Sequence, residues 1–533
     1  MTKILVVFAC LLTFSSSLAQ LSREELYMDA RELMTYDNAA YYKRALKILD
    51  GLNDRVKGRN EEYKYYLAIC YIKTNINKKR AAELLITIED GIKEFGPSFA
   101  YYFGLANHYA YRFDKAIIQY DLFLAHAKKK DKRKNEVYRL IDMCKVAKDM
   151  IQNPVKAKIE NLGEKINSVG PEYTPVISAD ESVLIFTSRR EGSIGGMMDL
   201  DGSSSHRKGD YFEDIFVSKK TEEGWSKPTN IGPAINTKGH DAVIGLSPDG
   251  QTLFIYRSDS VKYGNIFACR LNGDKWEAPV KLQSPINSKM WEGSCSINAD
   301  NNVLFFVSNR PDGIGGKDIY MIRKLPNGDW AAPKNLGPTI NTSEDEDAPF
   351  IHVDGQTLYF SSKGHKSMGG YDIFRSKYKD GKWSTPENIG YPINTTEDDR
   401  FFVLSADGLR GYYAVTKGTG YGDQDLYVVH MDNTSVNAPE AVTLLKGVLK
   451  TSSGEVASNA KITVTDQETG MLVGVFKPNK ATGKYLIVIP QGKNYVLRVD
   501  AAGYEAYSEN IATLRSGEYN ELNKNISLFK AQK

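Results

Sequence analysis

Residues 315–320 read Gly-Gly-Lys-Asp-Ile-Tyr and residues 335–341 read Asn-Leu-Gly-Pro-Thr-Ile-Asn, and together they mark one unit of the repeat that decides the fold. The Asp-Ile pair recurs, with small variations, at steps of 51, 53, 54 and 53 residues: Asp214-Ile215, Asn265-Ile266, Asp318-Ile319, Asp372-Ile373 and Asp425-Leu426. Short apolar runs bounded by hairpin-type turns such as Asp249-Gly250 lie between these pairs. The pattern predicts short strands throughout this region.

Three further anchors keep the same period. A tryptophan shortly before a proline stands at Trp225, Trp276, Trp330 and Trp383. An aspartate marks the turn after the first predicted strand at Asp180, Asp249, Asp300, Asp354 and Asp407. Each unit ends on Ile-Asn, at 166–167, 235–236, 286–287, 340–341 and 393–394. Units of this length with four short strands are typical of β-propeller blades, which bury their faces only by packing into a closed ring.

The way the ring closes can be read from one displaced segment. In the last unit, the Asp-Leu strand at residues 425–429 is not followed by the stretch that ends in Ile-Asn. A copy of this stretch without a unit of its own stands at residues 159–167, before the first unit. We expect this copy to supply the outer strand of the last blade, which would also cover a sticky edge. The sequence therefore predicts five blades within residues 155–433, with six as the alternative. The first unit contains an insertion at residues 197–207, which we interpret as a loop and not as a calcium site.

An acidic residue occupies the same register in every unit, six positions before the Ser178-type position: Glu172, Asp241, Glu292, Glu346 and Asp399. Placed near the start of the innermost strands, five carboxylates could form a ring at one mouth of the channel and attract a cation or a basic peptide. The alternative is structural, with each carboxylate accepting backbone N–H bonds at the junction with the neighbouring blade. Its presence in every unit favours the structural interpretation.

Residues 21–154 have a helical period instead. Small residues recur at Ala45, Ala81 and Ala116, at steps of 36 and 35 residues, where two helices would pack closely. This segment resembles tetratricopeptide repeats, which stack into a curved solenoid with a concave face. We expect it to dock a peptide or protein partner, and a packing module for the propeller is the alternative.

The N-terminus is typical of a secretory signal. Lys3 precedes the apolar run of residues 4–14, and small residues allow cleavage after Ala19, which predicts a signal peptide at residues 1–19. The alternative, which we consider unfavourable, is a lipoprotein with its lipid on Cys10, because residues 7–10 loosely match a lipobox. We expect a periplasmic, outer-membrane-associated protein with peripheral rather than integral attachment. The net charge of +3 on 533 residues argues against a nucleic-acid partner.

The C-terminal residues 444–533 alternate apolar and polar residues over several short strands, which predicts a β-sandwich after a linker at residues 434–443. No hydrolase elbow, zinc motif or other cofactor signature is present, so we expect no enzyme activity, no metal and no cofactor. A disulfide between Cys269 and Cys295 in neighbouring blades stays open at this level. The multidomain fold class is thus a helical solenoid, a propeller and a sandwich.

The sandwich motif Gly-Lys-Tyr-Leu-Ile-Val-Ile-Pro at residues 483–490 resembles carboxypeptidase regulatory-like domains, and the whole order resembles PorE-type proteins of the Bacteroidetes envelope. The resemblance implies a scaffold linked to type IX secretion or gliding, with envelope or secretion-complex proteins as partners of the helical repeats and the propeller. Relatives end in an OmpA-like domain that binds peptidoglycan. Because this sequence ends at Lys533, we expect peptidoglycan contact only indirectly. A TolB-like propeller that binds a glycan, peptide or solute in its channel is the alternative.

Overall fold

The computed structural model describes residues 22–74, 76–198, 204–205, 210–260, 263–416, 420–431, 439–457, 459–513 and 519–531. The predicted signal peptide, Cys10 and residues 434–438 of the predicted linker at 434–443 lie outside these residues. The chain divides into two compact units, residues 1–148 and 149–533. No helix among the described residues is both long and apolar enough to cross a membrane.

The first unit is helical, as the 3.6-residue period predicts. Within the described residues its helices are α1 (Arg23–Met34), α2 (Ala39–Arg55), α3 (Glu61–Lys73), α4 (Lys79–Leu85), α5 (Gly91–Phe95), α6 (Pro97–Tyr109), α7 (Phe113–His126) and α8 (Arg133–Gln152). Helix α1 begins with a capping box, in which the Glu25 backbone N–H donates to Ser22 Oγ and the Ser22 N–H donates to the Glu25 carboxylate.

Small residues set the spacing between these helices. Ala45, Ala81 and Ala116 are fully buried, as their recurrence predicts. Gly104 on α6 faces the ring of Tyr120 on α7, and a Cβ there would lie only 2.4 Å from that ring. The backbone of α6 therefore approaches its partner helix more closely than any larger residue would allow.

The repeat forms five antiparallel sheets within the described residues. Sheet 1 has β2 (Glu172–Ile177), β3 (Val183–Ser188), β7 (Asp214–Thr221), β8 (Gly224–Trp225) and β9 (Thr229–Asn230). Sheet 2 has β10 (Ala242–Leu246), β11 (Thr252–Ser260), β12 (Tyr263–Asn272), β13 (Lys275–Trp276) and β14 (Val280–Lys281). Sheet 3 has β15 (Glu292–Ile297), β16 (Val303–Ser308), β17 (Asp318–Arg323) and β18 (Lys334–Asn335). Sheet 4 has β19 (Glu346–Ile351), β20 (Thr357–Ser362), β21 (Asp372–Lys379), β22 (Lys382–Trp383) and β23 (Glu387–Asn388). Sheet 5 has β24 (Arg400–Leu404), β25 (Arg410–Val415) and β26 (Asp425–Met431), together with β1 (Ala157–Asn161) from the start of the repeat region.

The first strands of these repeat sheets contact one another in a closed cycle, β2 to β10, β15, β19, β24 and back to β2. The cycle closes through the N-terminal copy of the repeat. Strand β1 pairs antiparallel with β26, with Asn161 opposite Tyr427 and Ile159 opposite Val429. Sheet 5 is thus built from two segments that are distant in the chain, residues 157–161 and residues 400–431. The insertion in the first unit carries the short strands β4 (Met197–Met198), β5 (Ser204–Ser205) and β6 (Asp210–Tyr211), and its residues 199–203 and 206–209 lie outside the described residues.

The recurring Asp and Asn residues serve the architecture itself. In sheet 4 the Asp372 carboxylate accepts the backbone N–H groups of Met368 and Gly369 at 2.8 and 3.1 Å and the Asn388 amide at 2.7 Å. The amide of Asn394 spans the third strand, accepting from the Ile373 N–H and donating to the Ile373 carbonyl, both at 2.8 Å. Side chains therefore pair buried backbone groups of the third strand and of the loop before it.

The C-terminal sandwich has two layers. One contains β27 (Val442–Thr451), β30 (Lys484–Pro490), β33 (Asn520–Asn523) and β34 (Ile526–Leu528); the other contains β28 (Lys461–Asp466), β29 (Leu472–Phe476), β31 (Asn494–Asp500) and β32 (Tyr507–Ala512). Strand β27 begins two residues inside the predicted linker. Apolar residues that alternate along the strands, such as Ile462 and Val464, fill the space between the layers.

Candidate functional site

The five carboxylates of the predicted ring all stand at the start of the first strands, and all are fully buried: Glu172, Asp241, Glu292, Glu346 and Asp399. Each accepts the backbone N–H and the hydroxyl of the Ser or Thr four residues earlier. For Glu172 these bonds from Ser168 are 2.8 and 2.6 Å long, and Ser188 adds a third at 2.7 Å. The carboxylates thus hold the turns that connect neighbouring sheets, and none of the five is exposed at the channel mouth.

An arginine neutralises this carboxylate in the first three sheets. The pairs are Arg190 with Glu172 at 2.8 Å, Arg257 with Asp241 at 2.8 Å, and Arg310 with Glu292 at 3.4 Å. Each of these guanidinium groups also donates to the carbonyl of the isoleucine in the preceding Ile-Asn pair, which is Ile166, Ile235 or Ile286. Each arginine therefore joins an acid to the end of the preceding repeat.

Sheet 4 has a histidine in this place. His365 Nε2 lies 2.8 Å from the Ile340 carbonyl, and the imidazole packs on Phe360 and Phe374, as the Arg310 guanidinium packs on Phe306 and Tyr320. Burial lowers the pKa of His365, so the ring is neutral at pH 7. Burial raises the pKa of Glu346 to about 7. The fourth junction thus lacks the fixed positive charge that the first three contain.

In sheet 5 the Asp399 carboxylate accepts two bonds from Thr395 through Oδ2, at 2.6 and 2.9 Å. Its Oδ1 has no hydrogen-bond partner among the described residues, which do not include 417–419. Burial and the nearby Asp372 carboxylate raise the pKa of Asp399 well above its ordinary value. The five junctions therefore share one geometry but not one charge state.

Replacing Glu346 by Gln should flatten the pH dependence of stability. Because the folded-state pKa is about 7 against an ordinary 4.5, the native carboxyl keeps a proton that the unfolded chain releases between these values. This residue therefore makes stability fall as pH rises from about 4.5 to 7, by about 1.4 kcal/mol per unit. Gln can donate to the Thr342 and Ser362 hydroxyls and stays neutral.

Chemical unfolding of the wild type and of the Glu346→Gln variant at about pH 5 and about pH 7.5 measures the effect. We expect the wild type to lose about 2–3 kcal/mol more than the variant over this interval. Asp372, whose pKa burial also raises to about 7, is present in both proteins and cancels in the comparison. Equal slopes for the two proteins would contradict the prediction.

The central channel is narrow. Its cavity measures about 40 Å³ and is lined by the first strands, including Val176, Ile244, Phe350 and Phe402. A volume of this size holds one or two water molecules, whereas sites for small organic ligands measure about 300–1,000 Å³. A glycan or peptide therefore does not fit inside this cavity.

The sandwich lies across the end of the channel opposite the buried acids. Turns that follow the first strands, at Ala179, Ala299, Val353 and Ala406, pack with an apolar group of the sandwich that includes Leu444. Asn479 adds hydrogen bonds to the carbonyls of residues 271 and 273 at 3.4 and 3.2 Å and accepts from the Gly273 N–H. Only the acid end of the channel is left uncovered by the sandwich.

The helical unit contains a much larger cavity, a groove of about 540 Å³ with an aromatic lining. We call it the aromatic groove, and it is lined by Arg31, Met34, Thr35, Tyr42, Tyr65, Tyr66, Ile69, Glu94, Phe95, Ser98 and Tyr102. Tyr65 stacks on Phe95 at 4.1 Å, and the Arg31 guanidinium lies 3.6 Å from the Tyr66 ring centre. Desolvation and the neighbouring Glu61 carboxylate raise the pKa of Glu94.

Cys269 and Cys295 are both free and buried, so the structure contains no disulfide between them. Cys269 packs in the core between sheets 1 and 2, and Cys295 packs in the core between sheets 2 and 3. Burial raises the pKa of Cys269 to about 12. Both thiols act as small apolar core groups.

Sequence reasoning selected residues that repeat and missed charged residues that do not. Beside the buried acids, sheets 3 to 5 bring together the charges Lys317, Asp345, Asp347, Lys363 and Arg400. Of these, Lys317, Asp347 and Arg400 have no counterpart of the same charge in the other units. The signal that could have found them is departure from the repeat. Positions that every unit shares maintain the architecture, whereas a charge present in one unit alone is not needed for it.

No protein-family model and no curated protein matches the chain. Among solved structures, TolB from Acinetobacter baumannii is similar over 50% of this chain at 16% identity and a TM-score of 0.32, and the similar region spans 56% of the TolB chain. An alpha-L-arabinofuranosidase from Lactobacillus brevis is similar over 52% of this chain and 94% of its own, at 12% identity and a TM-score of 0.35. A catechol 1,2 dioxygenase from Acinetobacter radioresistens is similar over 18% of this chain and 53% of its own, at 12% identity and a TM-score of 0.15. Likenesses this weak carry no argument about function.

Proposed function

We propose that the protein is a non-enzymatic interaction scaffold of the cell envelope, with partners docking in the aromatic groove of its helical unit. In this proposal the repeat sheets are the blades of a five-bladed β-propeller, and the helices are a tetratricopeptide-like solenoid. The observation that carries the proposal is the contrast between the two cavities. The groove measures about 540 Å³ and the channel about 40 Å³, and only the groove has the size of a ligand site.

The chemistry of the groove supports a peptide segment as the ligand. Tyr65, Tyr66 and Tyr102 offer flat apolar faces with polar edges, which suit apolar side chains of an extended segment. Glu94, close to Glu61 and Glu62, offers negative charge at one part of the same groove. A segment with an apolar or aromatic residue next to a Lys or Arg would satisfy both features.

The cellular setting rests on the motif resemblance alone. Under this proposal the protein is periplasmic, associates peripherally with the outer membrane, and serves a type IX secretion or gliding complex. Contact with peptidoglycan would then run through partner proteins. The alternative, a TolB-like propeller with a glycan or solute inside its channel, has no support from the channel volume.

The experiment is capture of partners from envelope fractions with the tagged full chain. Glu94→Lys reverses the charge in the groove, and Tyr102→Ala removes one aromatic wall, while Lys145→Glu on the exposed face of α8 serves as the control. We expect a defined protein partner whose recovery falls at least about tenfold in both groove variants, a change of about 1.4 kcal/mol. The control should recover it as the wild type does. Recovery of no protein, or equal recovery by all four proteins, would refute the scaffold proposal.

A further inference from the structure

The acid end of the channel, which the sandwich does not cover, contains charges that the repeat does not require. The position directly after each buried acid is occupied by Tyr173, Ala242, Gly293, Asp347 and Arg400. Since these residues have nothing in common, the sheets fold without any particular side chain there. Charged groups at this position in sheets 4 and 5 therefore need another explanation.

Asp347 is anchored to the channel wall. Its Oδ1 accepts from Ser294 Oγ and from the Ala348 backbone N–H, both at 2.7 Å, and Ser294 and Ala348 line the channel. Its Oδ2 lies 3.7 Å from Lys317 Nζ and 3.8 Å from an Arg400 guanidinium nitrogen. Both distances exceed the length of a hydrogen bond, so the two cations are attracted to Asp347 without donating to it.

Lys317 and Arg400 keep their donors available. Among the described residues the structure shows no hydrogen bond for either cationic group, and each side chain is 32% exposed. Aromatic rings hold them in place instead. Lys317 Nζ lies 4.1 Å from the Trp291 ring centre, and the Arg400 guanidinium lies 4.9 Å from Tyr371 and 5.3 Å from Phe401. Cations positioned by rings, with unused donors, are preorganised to bind an anion.

The local charge limits the kind of anion. A third cation, Lys363, lies 3.0 Å from Asp345 and above the Tyr371 ring, so three cations surround two carboxylates. Because the buried Asp347 carboxylate stands beside these cations, the site suits a group with a single negative charge, such as one carboxylate, and would repel a doubly charged group such as a phosphate monoester. A guanidinium also presents two parallel donors that match the planar carboxylate group.

We propose that Lys317 and Arg400 form a binding site for a carboxylate group at the acid end of the channel, the end that the sandwich does not cover. The small apolar channel beneath excludes the rest of the ligand, which must therefore extend over the outer surface, where Ile314 is 44% exposed. The carboxylate can belong to an acidic protein segment or to a small organic acid, since both present the same group. This site is separate from the aromatic groove and does not depend on the proposed docking there.

The test uses the full chain and two probes, an acetylated oligoglutamate peptide and sodium glutarate, with binding measured by calorimetry. Arg400→Gln and Lys317→Gln should each weaken binding of the active probe at least about tenfold. Arg323→Gln, at an exposed site outside the cluster, is the matched control and should bind as the wild type does. Substitution of Lys128, Lys129 and Lys130 by Gln, made in every protein, removes the basic run of the helical unit as a competing site.

A second variant strengthens binding if the proposal is correct. Asp347→Asn keeps an oxygen for Ser294 and Ala348 but removes the carboxylate that competes for the two cations, so affinity should rise several-fold. Binding of oligoglutamate alone would identify a protein segment as the source, and equal binding of glutarate would identify a small acid. Absence of binding by both probes, or affinities unchanged in Arg400→Gln and in Asp347→Asn, would overturn the proposal.

Discussion

Replacing Asn167 by Ala should destabilise the protein by about 2–3 kcal/mol and loosen the closure of the sheet cycle. The Asn167 amide accepts from the Leu426 N–H at 2.8 Å and donates to the Leu426 carbonyl at 3.0 Å and to Asn161 Oδ1 at 2.8 Å. Leu426 is fully buried, so its N–H would lose this partner without gaining water. The side chain also joins chain segments separated by 259 residues.

Hydrogen exchange distinguishes loss of closure from simple destabilisation. The matched control is Asn287→Ala, which removes the same two bonds, to Ile266, between neighbouring segments of sheet 2. Both variants should lose similar free energy of unfolding. Only Asn167→Ala should accelerate amide exchange in β26, because β1 is held to β26 across the closure. A loss of about 2.7 kcal/mol in the free energy of local opening corresponds to exchange about 100-fold faster. Equal exchange in β26 for the two variants would refute a special role for this junction.

The strands of the repeat region could be located from sequence because their anchors are repeated for a physical reason. The Asn that spans a strand recurs in all five units, because it pairs buried backbone groups. The Asp that accepts loop N–H groups recurs in four units, with Asn265 in its place in sheet 2. The displaced copy at residues 159–167 could be recognised for the same reason. Its Asn161 and Asn167 make in sheet 5 the bonds that Asn388 and Asn394 make in sheet 4.

The charge state of the junctions could not be predicted from the repeat. Glu346 and Glu292 occupy the same register, and both accept hydrogen bonds from hydroxyl groups. Their junctions differ in the residue that follows the second strand, which is His365 in sheet 4 and Arg310 in sheet 3. That residue lies about 18 positions away in the chain, beyond a different strand. Sequence periodicity assigns a side chain to a strand but does not reveal which cation packs beside it.

The carboxylate site and the aromatic groove were missed for a related reason. Their residues come from segments that are distant in the chain and that match no repeat, such as Lys317 and Arg400, or Tyr42 and Phe95. The docking of the sandwich on the sheet turns depends on small residues such as Ala179 and Ala406, which have no distinctive pattern. Interactions of this kind follow from the folded arrangement and not from any local signal.

Replacing His365 by Arg should stabilise the protein at about pH 7.5, by about 2 kcal/mol. At this pH the ring of His365 is neutral in both the folded and the unfolded chain, since burial lowers a pKa that is ordinarily 6.5. Glu346, whose folded-state pKa is about 7, must then ionise in a buried site without a cation. An arginine would lower that pKa and would find the Ile340 carbonyl and the Phe360 and Phe374 faces already in place.

The reverse exchange in sheet 3 tests whether the junctions are equivalent. Arg310→His leaves Glu292, fully buried, without its guanidinium partner at 3.4 Å and should cost about 2–3 kcal/mol at the same pH. Burying an arginine also has a desolvation cost. In sheets 1 to 3 this site offsets the cost through the acid, a carbonyl and one or two aromatic rings. Sheet 4 has all of these except the arginine. Urea unfolding at about pH 7.5 measures both exchanges. A lower free energy of unfolding for His365→Arg would contradict this equivalence. A gain for His365→Arg together with a loss for Arg310→His would establish that one missing charge separates the fourth junction from the first three.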